Sequence, residues 1–175
     1  MTIVLLAAGT RGDVQPYVAL GTALRRAGQR VRVATFSAFK SLVEGAGLEH
    51  YPLLGDVAGV AASEEMRHAV EADNPLKVLL SFNRLSELAT GLNAGFAEAC
   101  SDSTAIVYHP GAAIGRYMAA ERGVPGILAT PFPMTRTSNY PAMVFYDGPR
   151  LGRLYNRLTH QAFEQIMWTA AGGSV

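Results

Sequence analysis

The first thirty residues constrain this chain more than any other stretch. An apolar run, Thr2-Ile3-Val4-Leu5-Leu6-Ala7-Ala8, enters a turn, Gly9-Thr10-Arg11-Gly12-Asp13, and a helical pattern then runs to Ala27-Gly28. An unbroken apolar run of this length is what a strand buried on both faces requires. Strand, glycine turn and helix in that order make a parallel α/β junction, where strand carboxyl ends and helix amino ends converge on ligands.

The same alternation recurs. Strands are expected at Thr2–Ala8, Val31–Phe36, Leu48–Leu53, Thr104–Tyr108 and Val124–Thr130. The first helix is placed from near Pro16 to Gly28, with Val18, Leu20, Leu24 and Ala27 as its apolar positions. Ser37 is expected to cap a helix over Ala38–Glu44. Arg30 and Arg32 are placed on the solvated margin of the second strand. Gly55–Ala62 reads as a loop, Ser63-Glu64-Glu65-Met66 as a helix start, Asp73-Asn74-Pro75 as a break and Leu76–Cys100 as a long helix. Further helices are expected at Ala112–Glu121 and Leu151–Ala170, around a Pro-rich loop from Pro131 to Pro141. The fold class is therefore α/β: a Rossmann-like, mainly parallel sheet with helices on both faces.

Composition narrows the function classes. The chain has 175 residues and a formal net charge of +1, so one domain is expected and nucleic acid is not an expected partner. Thirteen arginines against two lysines are scattered rather than clustered. Cys100 is the lone cysteine, which excludes an internal disulfide and a cysteine-rich metal site, and it is expected to be a small buried residue near a helix end. The four histidines show no metal-ligand spacing, so no metal is expected. No stretch is long enough to cross a bilayer. A cytoplasmic location is expected, with membranes touched only at a surface.

Several familiar motifs are absent. Gly9-Thr10-Arg11-Gly12 lacks the third glycine of a dinucleotide fingerprint, and the second strand ends in Thr35-Phe36 with no acidic residue. There is no Gly-Lys-Ser/Thr of a phosphate loop and no Gly-x-Ser-x-Gly elbow.

Two readings of Asp13 stand side by side. It caps the first helix, or it is a general base at a strand-to-helix turn. His109 ends the fourth strand on the same sheet edge, either as a hydrogen-bonded structural residue or as a partner of Asp13. The irregular segment with Phe132, Met134, Tyr140, Met143, Phe145 and Tyr146 either lines an apolar ligand site or folds over the domain's own core.

Gly9-Thr10-Arg11-Gly12-Asp13-Val14-Gln15-Pro16 resembles the opening motif of GT-B glycosyltransferases, nearest to the sterol glucosyltransferases and their bacterial relatives, including the glycopeptide-antibiotic enzymes. Ala46-Gly47-Leu48-Glu49, Val107-Tyr108-His109-Pro110 with Gly115, Glu121-Arg122-Gly123-Val124-Pro125 and Pro133-Met134-Thr135-Arg136-Thr137 with Tyr140-Pro141 extend the likeness. Tyr155 to Trp168 resembles the family's interdomain helix.

The resemblance implies one half of a GT-B fold: residues 1–170 as the N-terminal acceptor-binding domain and 171–175 as a junction, with no match to the donor-binding C-terminal domain. It further implies an inverting transfer from a UDP- or dTDP-sugar, as co-substrate and with no other cofactor, to a hydroxyl of a hydrophobic acceptor. Asp13 would take the acceptor's proton, with His109 as orienting partner. Gly9, Thr10, Arg11 and Gly12 would form the turn near the donor phosphates. Phe132, Met134, Thr135, Arg136, Thr137 and Tyr140 would face the acceptor. The donor half would come in cis or as a separate subunit. The alternative is a non-catalytic half-domain that holds a lipid or acceptor.

Overall fold

The computed structural model describes residues 1–54, 92–142, 145–146 and 148–172, with side chains as far as Gln165. Among these residues five strands form one sheet: β1 (Thr2–Leu6), β2 (Arg30–Phe36), β3 (Glu49–Leu53), β4 (Ala105–Tyr108) and β5 (Gly126–Leu128). Every pairing is parallel and the spatial order is β3-β2-β1-β4-β5. The helices are α1 (Arg11–Arg26), α2 (Lys40–Gly45), α3 (92–99), α4 (Gly115–Arg122) and α5 (Arg153–Gly172).

Alternation along the strands sorts the core into two layers. Val4 and Leu6 of β1, Ala34 and Phe36 of β2, and Ile106 and Tyr108 of β4 pack with Phe96 of α3 and Met118 of α4. Leu5, Val31, Val33 and Val107 point the other way, onto Val14, Tyr17 and Val18 of α1 and Val43 of α2. Successive strand side chains take opposite faces, so an all-apolar strand needs helices on both sides. The expected α/β sheet is present.

Local details depart from the sequence reading. α1 begins at Arg11, not near Pro16, because Thr10 takes extended backbone and caps it, leaving Pro16 inside the helix. Its buried stripe is Val14, Tyr17, Val18 and Gly21, while Leu20 is exposed. Ser37 does not cap a helix; it opens a 3₁₀ turn, Ser37–Phe39, ahead of α2. Another 3₁₀ turn, Pro110–Ala112, precedes α4. β5 is shorter than expected, and Pro125, which lacks the N–H that a ladder needs, stands directly before it.

Arg32 is not on a solvated margin but buried. Its guanidinium donates to Glu49, to Asp102 (2.6 Å) and to the Ala99 carbonyl (2.7 Å). Cys100 is buried and free just beyond α3, and burial pushes its thiol up to about 11. The loop, helix start, break and most of the long helix expected between Gly55 and Cys100 lie outside the described residues; α3 is the part of that helix within them. α5 runs past the boundary expected at residue 170. No described helix is long and apolar enough to cross a membrane.

Candidate active site

The chain's direction of travel reverses at β1. From β1 it proceeds outward to β2 and β3, then returns to β4 on the other flank. In open α/β sheets that reversal opens a crevice at the strand carboxyl ends. The register Leu6↔Tyr108 sets the exits of β1 and β4 side by side, and the His109 N–H donates to the Leu6 carbonyl at 2.9 Å. Asp13 and His109, far apart in sequence, meet there.

Asp13 lies in the first turn of α1, and its two oxygens have different surroundings. Oδ2 accepts from the Thr10 N–H at 2.7 Å and from the Thr10 hydroxyl at 2.9 Å. This is the carboxylate arm of a capping box, three residues inside the Thr10 cap. Oδ1 stands 3.3 Å from His109 Nε2. The side chain is 24% exposed, so a reactant can reach it.

Gly9 makes this arrangement fit. Its φ of +145° suits glycine, and a Cβ there would sit 2.4 Å from Asp13 Oδ2.

His109 is buried, and its Nδ1 accepts from the Gly111 N–H at 2.9 Å. An Nδ1 that accepts is unprotonated, so the ring's proton lies on Nε2, toward Asp13. The 3.3 Å approach is an ion-pair distance, but the N–H is not well aligned, and Nε2 has no fully formed hydrogen bond. Burial pushes the imidazole below its usual range, against the opposing pull of Asp13. The site is therefore a carboxylate beside a neutral imidazole.

Two aromatic rings fix the His109 plane edge-on: Tyr17 at 5.8 Å and 68°, and Phe132 at 6.0 Å and 78°. Tyr17 also donates its hydroxyl to the Ala129 carbonyl just past β5. Burial first, and the Asp13 charge second, keep its phenol protonated. The sequence reading missed Tyr17. Its signal was the i, i+4 spacing from Asp13, which puts both on one side of α1.

The other candidate residues divide by location. Arg11 opens α1 with its side chain exposed and its Nε 3.4 Å from Gln15 Oε1. Gly12 is exposed beside Thr10. Of the expected acceptor loop, Phe132 contacts the His109 ring. Met134 is half-buried, Thr135 is exposed, and Thr137 accepts from the Asn139 N–H at 3.2 Å. Arg136 pairs with Glu164 of α5, and Tyr140 lies edge-on to His160 of α5. These two residues anchor the loop to α5. Met143 lies outside the described residues.

This sheet order opens a crevice at the exits of β1 and β4, and Asp13 and His109 meet at its mouth. The glycosyltransferase family 28 N-terminal domain matches residues 3–141, and the chain belongs to that family. It is 35% identical over 178 residues to a sterol 3-beta-glucosyltransferase of Yarrowia lipolytica, covering 100% of this chain and 12% of the relative. A Candida albicans sterol 3-beta-glucosyltransferase is 34% identical over 176 residues, covering 99% of this chain and 11% of the relative. The chain thus spans a small fraction of these relatives' own length. The crystal structure of SsfS6, a Streptomyces sp. SF2575 glycosyltransferase, superposes with a TM-score of 0.59 at 20% identity, covering 99% of this chain and 44% of that one. That likeness establishes the GT-B type of fold.

Proposed function

We propose that this chain is the acceptor-binding half of an inverting glycosyltransferase. It moves a hexose from a UDP- or dTDP-sugar to a hydroxyl of a hydrophobic acceptor. A sterol is the first candidate, given the names of the sequence relatives. Asp13 is the general base. The acceptor O–H gives its proton to Asp13 Oδ1, and the oxygen's electron pair forms the new bond to the anomeric carbon. The nucleoside diphosphate leaves from the opposite face with the old bonding pair, which inverts that carbon. A hydroxyl is a weak nucleophile until a positioned base takes its proton.

The observation that supports this reading is the division of labour within the Asp13 carboxylate. Thr10 holds Oδ2 in place, while Oδ1 is turned to a neutral Nε2–H on a side chain that remains partly exposed. His109 orients the carboxylate. Phe132 offers an apolar wall beside the His109 ring. Arg11, exposed at the start of α1, is the cation nearest in sequence for the donor phosphates. The donor itself is held by a second half, in cis or in trans. The buried free Cys100 suits a reducing, cytoplasmic setting.

The test is transfer by the full-length protein from UDP- and dTDP-glucose to a panel of sterols, terpenoids and polyketides. Product with inverted anomeric configuration is expected for at least one hydrophobic acceptor. Acceptor binding without any transfer would replace this reading with that of a non-catalytic binding module.

A further inference from the structure

Beyond β5 the chain has little to hold it in place. β5 is three residues long, exposed throughout, and the edge of the described sheet. Pro131 and Pro133 follow it with no N–H to donate. Among the described residues, no backbone–backbone hydrogen bond is made from Thr130 to Thr135. Yet Phe132, in the middle of this stretch, lies edge-on to His109 at 6.0 Å. The nearest anchor before it is Ala129. The Ala129 N–H donates to the Tyr108 carbonyl at 3.1 Å, and the Ala129 carbonyl accepts from the Tyr17 hydroxyl.

Tyr17 is 2% exposed and lies one helical turn after Asp13 on α1. Its ring meets an edge of His109 at 5.8 Å, and its hydroxyl holds a residue just before Phe132. Tyr108, which accepts from Ala129, immediately precedes His109. A short closed path therefore runs from the Tyr17 hydroxyl through Ala129 and Phe132 to the imidazole and back to the Tyr17 ring. A phenylalanine would fill the same space at position 17 with no buried hydroxyl to satisfy, so packing alone does not account for the tyrosine. What the hydroxyl adds is a fixed exit from β5.

We propose that the Tyr17 hydroxyl is a latch: by holding Ala129 it keeps Phe132 seated on the His109 ring and water away from the imidazole. Tyr17 is thus a positioning residue that acts through Ala129, Phe132 and His109. Among the described residues, the groups that face the ring are Asp13 and Tyr17 of α1, the Gly111 N–H and Phe132, and Asp13 is the charged one. Releasing the latch admits water without changing that charge, which relieves the burial that holds the imidazole below its usual range. That the latch also serves turnover, by keeping the carboxylate–imidazole pair in place for an acceptor, rests on the reading above; the latch itself does not.

Deuterium uptake at the histidine Cε1 positions of the full-length protein, followed by mass spectrometry across pH 5 to 9, tests the latch without donor or acceptor. Tyr17→Phe keeps the ring and removes only the hydroxyl. Exchange at His109 should speed up at least about threefold, with its midpoint moving up toward the ordinary histidine range, while His160 behaves as in the parent. Phe132→Ala should reproduce that change, and Tyr17→Phe on top of it should add little, since both act on one contact. An unchanged His109 in Tyr17→Phe, or effects of the two substitutions that simply add, would overturn the proposal. A His160 that changes as much as His109 would overturn it too, because general loosening would then be the cause. Where the parent transfers a sugar, Tyr17→Phe should lower kcat roughly tenfold. Unchanged kcat would cut the latch off from turnover, and a parent that transfers nothing would overturn the acceptor reading alone.

Discussion

The two ends of the sheet each hold a cation-forming side chain against carboxylates, and they treat it differently. At the strand-start end, Arg32 is surrounded by Glu49, Asp102 and the Ala99 carbonyl. Burial alone would lower its pKa, but the hydrogen bonds it donates to Asp102 and Glu49, with their charges, outweigh that and raise it, and Arg32 in turn holds the Asp102 carboxyl below its ordinary range. At the strand-exit end, His109 faces one carboxylate at 3.3 Å with imperfect alignment, and burial lowers its pKa. The first cluster is saturated with partners and ties β2, β3 and the end of α3 together. The second leaves one carboxylate oxygen and one ring N–H incompletely used. A saturated network rigidifies, whereas an incompletely used one retains capacity for a reactant.

Replacement of Asp13, the base we propose, is the severest test of that contrast. Asp13→Asn keeps an acceptor for Thr10 but cannot take a proton. If the proposed transfer is right, kcat of the full-length protein should fall roughly 10²- to 10⁴-fold with the melting temperature nearly unchanged. Near wild-type kcat would remove Asp13 from the mechanism and leave it a helix cap.

Gly9→Ala attacks the same carboxylate from below. The added methyl would lie 2.4 Å from Oδ2 on a backbone at φ +145°. A stability loss of about 1–3 kcal/mol and a kcat loss of at least about tenfold are expected together, read by denaturant melts and initial rates. Unchanged values for both would show that the turn relaxes freely.

Arg32→Met breaks the other end. Glu49 and Asp102 are partly exposed and regain water, so the cost should be about 2 kcal/mol, less than for a fully buried pair. Turnover per folded molecule should not change. A loss of kcat without a loss of stability would erase the distinction between the two ends.

The smallest effects concern His109. On the proposed roles, His109→Ala should lower kcat roughly tenfold, since an orienting group would contribute less than the base. The sign of its pH effect follows from its depressed pKa. The unfolded imidazole binds a proton at higher pH than the folded one, so its contribution to stability is complete above the ordinary histidine range and is lost as pH falls through it. Urea midpoints measured from pH 8 to 5 should fall in the parent, and the His109→Ala variant should lose that part of the slope. Parallel curves would show that His109 titrates normally.

Much of the fold was legible because its signals are local. The apolar run of β1, the Gly9 turn and the left-handed Gly28 and Gly123 just past α1 and α4 each depend on neighbours within a few residues. Asp13 and His109 were legible as candidates because each follows a strand. Arg32 was misread because strand alternation says which face a side chain takes, not which carboxylates the fold brings to that face. The start of α1 was misread because Pro16 is a strong local signal, while the Thr10–Asp13 cap that outweighs it depends on side-chain geometry.

The sequence by itself determined the succession of strands and helices, the turn that needs glycine at position 9, and a carboxylate at the mouth of the first strand. These follow from backbone sterics and from a period-two apolar pattern. Only the tertiary structure decided that β4 lies beside β1, that His109 meets Asp13 as a neutral Nε2–H, and that Tyr17 and Phe132 hold its ring. The physical reason is that pairing β1 with β4 joins residues about a hundred positions apart, and only the packing of the whole sheet specifies that contact.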